Sequence, residues 1–482
     1  MSSEPRHLHP AAMLIDAIRT IRRSLSAFVI PGVVFLMSRG FDVGTIALVL
    51  FGALVVAVLA AFWGFLSWRA TTYEVAGGVF RLRRGVVQKN ERTIPLDHVQ
   101  SVDTVQGIIQ RLFGVVEVRI ETAGGGASEP DASLAALDRA DAEALRREIE
   151  GSRREPVETE DDTGPTILRR LGTRDLLLAG ATSGQIGVAL SLIAVASQLF
   201  DDVFSESFAQ RLLETFAPRS VTTALLYVLI LGLFAWLLAI GGTVLAYAGF
   251  TLSRDGDFLY IRRGLLERRE ATIPLARIQA VRITEGLLRQ PFGLASLRVE
   301  SAGYGEDAGV STTLFPLLPR KEVHKLLVDA APEFAVAPPL NALPRRALRR
   351  YVIRSTIPFL FLISAATLFS SVVFDLAAWV FAALLLLLPA ALYGRLRYRD
   401  AGWALEEDRL VVRSRFLGRT TAIAPRRRLQ SRATVRSPLQ RRVRLATFQA
   451  QVASGGGGAE LRVTDLGSDA ADALIENLGP RS

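Results

Sequence analysis

The sequence predicts a polytopic α-helical membrane protein, with about six transmembrane helices in three hairpins, carrying three α+β domains that each end in a closing helix. Three observations predict it. Half of the 482 residues are hydrophobic, the mean hydropathy is +0.30, and the apolar residues gather in runs free of charge. One stretch recurs: RTIPLDHVQSVDTVQGIIQRLFG at 92–114, ATIPLARIQAVRITEGLLRQPFG at 271–293, and a fainter IAPRRRLQSRATVRSPLQRRVRLATF at 423–448. Each copy follows a pair of the apolar runs.

The runs set the membrane part. Val43–Trp68, Leu176–Phe200, Val221–Ser253, Ser355–Phe374 and Leu376–Gly394 each approach or exceed the roughly 20 residues that cross a hydrocarbon core. A sixth, Ser24–Ser38, is short, so Arg23 and Arg39 at its ends must snorkel, and Pro31 inside it is tolerable in a membrane helix. No small-residue cleavage site separates it from the next run, which makes it an anchor and not a signal peptide. Turns within the pairs carry Asp42, Asp201, Asp202, Glu206, Glu214 and Asp375, whereas the other ends are rich in arginine. The positive-inside rule therefore places both termini and all long polar segments on the cytoplasmic side of the membrane.

Composition excludes several chemistries. With no cysteine, disulfides, thiolate metal sites and cysteine nucleophiles are absent. The net charge is +10 and almost wholly arginine, lysine occurring only at Lys89, Lys321 and Lys325; such an excess points to anionic lipid before nucleic acid. His7, His9, His98 and His324 show no metal spacing, and the glycine runs 124–126 and 455–458 lack the lysine and hydroxyl of a phosphate loop. Neither an enzyme activity nor a cofactor is expected.

Behind each hairpin the pattern changes to β. GVVEVRIETAGG (114–125) and GLASLRVESAG (293–303) alternate apolar and polar residues, the period of a strand with one buried face. VFRLRRGVVQKNERTIPL (79–96) and FLYIRRGLLERREATIPL (258–275) read as strand, turn at Gly85 or Gly264, strand. Amphipathic helices over 133–151, 319–331 and 468–479 close the segments, the last with Ser468 and Asp469 as N-caps. The resulting boundaries are a basic lead-in and hairpin over 10–70, a domain over 71–151, a linker at 152–165, a hairpin over 166–250, a domain over 251–331, a linker at 332–344, a hairpin over 345–397 and a divergent domain over 398–482.

The residues Pro95, Gln100, Gly107 and Gly114, repeated as Pro274, Gln279, Gly286 and Gly293, resemble the signature of the bacterial PH-like, membrane-flanked domain family. The threefold repetition is similar to that family's triple-PH membrane proteins. The third copy keeps Pro425 and Gln430 but has Ser437 and Arg444 where the others have glycine. What the resemblance implies is a PH-like fold, a bent antiparallel β-barrel with a C-terminal helix, and no catalytic activity.

The candidate contact residues are arginines. Arg169 and Arg170 precede the second hairpin, and Arg345, Arg346, Arg349 and Arg350 fall on one side of a helix before the third. Each arginine near anionic headgroups is worth about 1 kcal/mol. A dense set in the third domain includes Arg426, Arg427, Arg428, Arg441 and Arg442, with too few aromatics for stacking on bases. The repeated glutamines are expected to bond irregular backbone at a sheet corner, the prolines to open edge strands, and Gly241, Gly242, Ala246 and Gly249 to allow close helix packing. The reading is a non-enzymatic scaffold whose cytoplasmic modules bind membrane lipids, protein partners or another copy, in envelope maintenance. The alternative is a transporter or lipid-translocating protein with regulatory PH-like domains.

Overall fold

The computed structural model describes residues 5–21, 42–122, 132–151, 165–183, 220–301, 313–370, 387–454 and 458–479. Two compact units divide at Pro274/Leu275, inside the second sequence repeat.

In the first unit, β1 (Arg6–His7) precedes a helical stretch over 11–21, and the described chain resumes at α1 (Val43–Arg69), N-capped by the Asp42 carboxylate, which accepts from Gly44 N at 2.6 Å. Then come β2 (Thr72–Ala76), β3 (Val79–Arg84), β4 (Asn90–Pro95), β5 (Val99–Gln106), α2 (Ile108–Leu112), β6 (Val115–Thr122), β7 (Ala132–Asp138) and α3 (Arg139–Gly151). The helix expected over 133–151 is therefore shorter. Residues 134–137 are all buried and the segment pairs with β6, so it is strand, and the helix starts at Arg139. The second repeat supplies β8 (Thr166–Arg170), α4 (Thr173–Ala181), α5 (Val221–Tyr247), β9 (Thr251–Asp255), β10 (Phe258–Arg263) and β11 (Arg268–Pro274).

The second unit holds β12 (Ile278–Glu285), β13 (Leu294–Ser301), β14 (Thr313–Pro319), α6 (Val323–Ala330), β15 (Asn341–Ala342), α7 (Arg345–Ser370) and α8 (Leu387–Asp400). The third domain completes it with β16 (Gly402–Glu406), β17 (Arg409–Arg415), β18 (Arg419–Pro425), β19 (Leu429–Val435), α9 (Pro438–Arg442), β20 (Leu445–Val452), β21 (Ala459–Gly467) and α10 (Ser468–Asn477). Gly467 is the N-cap of α10 and no side chain caps it, so Ser468 and Asp469 lie inside the helix.

Pairing is antiparallel throughout, and the sheets do not respect the sequence repeats. The first unit has a sheet β1-β2-β3-β4 and a seven-stranded sheet β7-β6-β5-β11-β10-β9-β8. The second has a seven-stranded sheet β14-β13-β12-β18-β17-β16-β15 and a sheet β19-β20-β21. Two consequences are structural. First, each domain takes a strand (β1, β8 or β15) from ahead of its own hairpin, which the sequence boundaries leave out. Secondly, β5 pairs with β11 of the next repeat and β12 with β18 of the one after, in matching register: Gln106 opposes Arg268, and Glu285 opposes Arg419. The corresponding strand of the third domain, β19, is a sheet edge among the described residues; most of its residues are exposed where those of β12 are mostly buried.

The repeated signature residues build the corner that makes this possible. The ladder slips at Gln100, Gln279 and Gln430 alike, each the extra residue of a β-bulge between strand five or its counterpart and the strand that follows. Gln279 donates from Nε2 to the Arg277 carbonyl at 3.0 Å, as a buried amide at irregular backbone must; Gln430 is exposed. Pro95, Pro274 and Pro425 do not open edge strands as expected: each ends the strand before the corner, and β11 and β18 lie inside their sheets. The third copy keeps the loop geometry despite its substitutions. Gly114, Gly293 and Arg444 have φ of 70°, 61° and 50°. Gly107 has φ −76°, open to any residue, and its counterpart Ser437 adds a capping box with Gln440.

One glycine in each hairpin region brings two helices together. A Cβ on Gly64 would stand 2.5 Å from the Met13 carbonyl oxygen, on Gly180 2.9 Å from Ile240 Cα, and on Gly394 2.7 Å from Val352 Cα. Among the described residues Gly241 and Gly242 have nothing within 4 Å of such a Cβ, and Gly249, at φ 65°, shapes the exit from α5, so the crossing seen there is made at Gly180. Among the described residues two helices are long and apolar enough to cross a membrane, Val43–Arg69 and Leu225–Tyr247. The run 24–38 lies outside the described residues, and those at 176–200, 355–374 and 376–394 lie partly outside. Below the helices, Phe80, Ile120, Leu145 and Ile149 anchor the core of the first domain, and Phe448, Leu461 and Leu474 that of the third.

Candidate membrane-surface and partner interface

The hairpin between the third and fourth strands of each domain ends in apolar residues held out to solvent. Val87, Leu265 with Leu266, and Phe416 with Leu417 are exposed, Phe416 by 75 %. Two of these tips are fixed to helix ends. Leu265 N donates to the Leu245 carbonyl at 2.9 Å and Gly264 N to Ala248 at 2.8 Å, at the exit of α5. Tyr393 of α8 donates its hydroxyl to the Phe416 carbonyl, and Arg397 Nε donates to Arg415 O at 3.2 Å. The short helix of the preceding repeat joins the first tip: Arg111 donates to the Leu265 carbonyl at 3.2 Å, and Ile108 and Leu112 beside it are exposed. Leu287, Leu288 and Phe292 repeat that exposure in the next turn. Arg111 at the first of these two tips and Arg397 beside the second add a cationic flank to the apolar tip, a mixture that suits a lipid interface. Sequence reading missed these residues, although the signal was there: an apolar pair at a tight turn, where polar residues are the rule.

The predicted arginines separate into two groups. On α7, Arg346, Arg350 and Arg354 face the third domain. Arg346 donates to the Arg444 carbonyl at 3.0 Å, and Arg350 and Arg354 donate to the wholly buried Asp465 at 2.9 and 2.8 Å. Arg345 and Arg349 remain exposed, as do Arg441 and Arg442. Arg169 and Arg170 lie in β8, a strand and not a surface helix, with Arg170 exposed. Arg426 donates to the Gly479 carbonyl, and Arg427 pairs with Glu333 at 2.7 Å. Arg428 has a buried Nε without a hydrogen-bond partner. The arginines bonded within the chain hold the domain to its helix and carry fewer free charges for a ligand than the sequence count suggests.

Where β12 meets β18, an ion network at one end joins the buried Val281–Ile423 pair. Arg419 donates to Glu285 from Nε at 3.0 Å and also from its terminal amine, while Arg320 approaches the same carboxylate at 3.4 Å. Buried Arg415 donates to buried Asp400 and to Gln290. The Glu285 hydrogen bond holds the Arg419 guanidinium above its usual range, and burial holds Arg413 below. At the β5–β11 joint, Asp103 accepts from Thr272 N at 3.3 Å, and burial pushes its carboxyl up to about 7 against the pull of Arg146, Arg119 and Arg269. No group of histidines and carboxylates that could hold a metal occurs among the described residues.

A family model described as "Bacterial PH domain" matches residues 25–153, 208–330 and 359–482. The "UPF0699 transmembrane protein YdbT" of Bacillus subtilis (strain 168) is 33 % identical over 501 residues, covering 99 % of this chain and 98 % of that relative. No solved structure matches.

Proposed function

This chain belongs to the bacterial PH domain family, and on that premise we propose that it is a non-enzymatic, six-span protein of the bacterial cytoplasmic membrane whose three modules form a binding platform on the inner leaflet. The observation that carries the reading is the tip geometry. Hydrogen bonds from Gly264, Leu265 and Tyr393 hold the turns bearing Leu265 and Phe416 against α5 and α8, which supports a reading in which their apolar side chains meet the lipid boundary. Burying each such side chain at the lipid boundary is worth about 1.5–3 kcal/mol, and neighbouring arginines add about 1 kcal/mol each on an anionic leaflet. Surfaces held at a fixed height would leave the rest of each module free for protein partners, and tethering would let weak contacts add by avidity.

Because the chain lacks cysteine, single substitutions report cleanly. A fluorophore on Leu266→Cys or Leu417→Cys, in liposomes with brominated acyl chains, should be strongly quenched. The same dye on Asp257→Cys, at the opposite turn of the sheet, should not. Equal quenching at 257 and 266 would sink the interface reading. An impermeant thiol reagent should reach Asp257→Cys in inverted membrane vesicles and not in intact cells; the reverse pattern would overturn the cytoplasmic placement.

A further inference from the structure

A cavity of about 340 Å³ lies in the first unit beside the exit of α5, lined in part by Gln106, Arg139, Gly249, Arg263, Arg268 and Glu270. Arg263 is buried, stacks over the Tyr247 ring at 4.6 Å, shares a side-chain hydrogen bond with Tyr247, and keeps an Nε with no hydrogen-bond partner among the described residues. A buried guanidinium proton without an acceptor is costly, and it points to a missing one.

The chain itself shows what is missing. Strand register aligns Gln106 with Glu285, Gly249 with Asp400, Arg268 with Arg419 and Arg139 with Arg320. At the later joint, Glu285 receives Arg419 and Arg320, and Asp400 receives Arg415. At the earlier joint both carboxylates have been replaced, by an amide and by a glycine, while the arginines aligned with Arg320 and Arg419 remain. Glu270 offsets part of the charge, paired with Arg262 at 2.7 Å and near Arg139 at 3.8 Å. Arg268, exposed and directly opposite Gln106, has no such acid across the strand.

We propose that this cavity binds a phosphate-class anion, which supplies the negative charge that Glu285 and Asp400 supply at the other joint. Guanidinium forks match tetrahedral phosphate oxygens in bidentate fashion, and the volume falls in the range of small-ligand sites. The anion has two sources of the same chemistry, an anionic lipid headgroup reaching in past the α5 exit, or free phosphate. The proposal does not rest on the tips entering lipid.

The test uses the full chain in nanodiscs. Inorganic phosphate is titrated by calorimetry into discs of neutral phosphatidylcholine, and lipid retention is counted by native mass spectrometry in discs containing phosphatidylglycerol. Gln106→Glu restores the missing carboxylate opposite Arg268, and Arg268→Gln removes a cation; each should weaken phosphate binding or lipid retention at least tenfold. The second variant keeps the test decisive if the first folds poorly. Phosphate binding in neutral discs that both variants lose assigns the site to soluble phosphate. Phosphatidylglycerol retention that both variants lose assigns it to the headgroup. Absence of both signals in the unmodified chain, or signals that survive both substitutions, overturns the proposal.

Discussion

Arg350 donates from Nε to Asp465 at 2.9 Å, and this carboxylate, the target of α7, is wholly buried. Arg354 and Gln440 complete its hydrogen bonds at 2.8 and 2.9 Å. Removing one partner of a buried pair leaves the others uncompensated, at about 3–5 kcal/mol. Asp465→Ala should therefore lower the unfolding midpoint of the second unit sharply and expose the arginines of α7 to trypsin. An unchanged midpoint would show that the clamp contributes nothing.

Arg444 holds φ at 50° where Gly114 and Gly293 stand in the other copies. Left-handed backbone costs a residue with a Cβ about 1–2 kcal/mol. Its carbonyl, which receives Arg346 and Ser468 N, stays in place whatever the side chain. Arg444→Gly is expected to stabilise by about 1 kcal/mol, read as a rise in thermal midpoint. A fall would mean that the side chain is needed.

Gly394 and Gly241 should behave oppositely. A Cβ at Gly394 would meet Val352 Cα at 2.7 Å and Tyr351 O at 2.9 Å, backbone that cannot step aside, whereas one at Gly241 meets nothing within 4 Å among the described residues. Gly394→Ala should cost about 1–3 kcal/mol by forcing the helices apart. Gly241→Ala should be neutral or slightly stabilising through helix propensity. Comparable losses from the two substitutions would refute the assigned crossing.

The β5–β11 joint should respond to pH through Asp103. Its folded pKa, about 7, lies above the ordinary 3.8, so its stabilising contribution is complete below about pH 4 and disappears as pH climbs through about 7. Asp103→Asn keeps an acceptor for Thr272 N and removes the titration. The difference in thermal midpoint between variant and parent should move in the variant's favour between pH 4 and 8. A difference that stays constant across that window would refute the shift.

Much of this architecture was legible in the sequence, for physical reasons. Charge-free runs, period-two alternation in 114–125 and 293–303, and the Pro–Gln–Gly signature located helices, strands and corners, because burial and backbone geometry act locally. The joints were not legible. Alternation assigns a strand's faces, yet it is silent about which edge meets which. A faint signal existed: β5 and β12 read VQSVDTVQ and IQAVRITE, while β19 and the next residue read LQSRATVR, placing Arg432 and Arg436 on the strand that is left as an edge. In the sequence alone those two arginines merge into the dense basic set of the third domain. The cavity escaped for a related reason, since it is defined by carboxylates that are missing from one copy.

The interlocked sheets put the sequence period and the folding period out of phase. A fragment cut at the repeat boundary would expose raw ladder on strand five, so no single repeat can be excised intact. Yet both joints use one register, so a chain lacking its middle repeat could still seat Gln106 against Arg419, as Glu285 does now. The interlock that forbids a solitary module thus leaves the number of modules open to change.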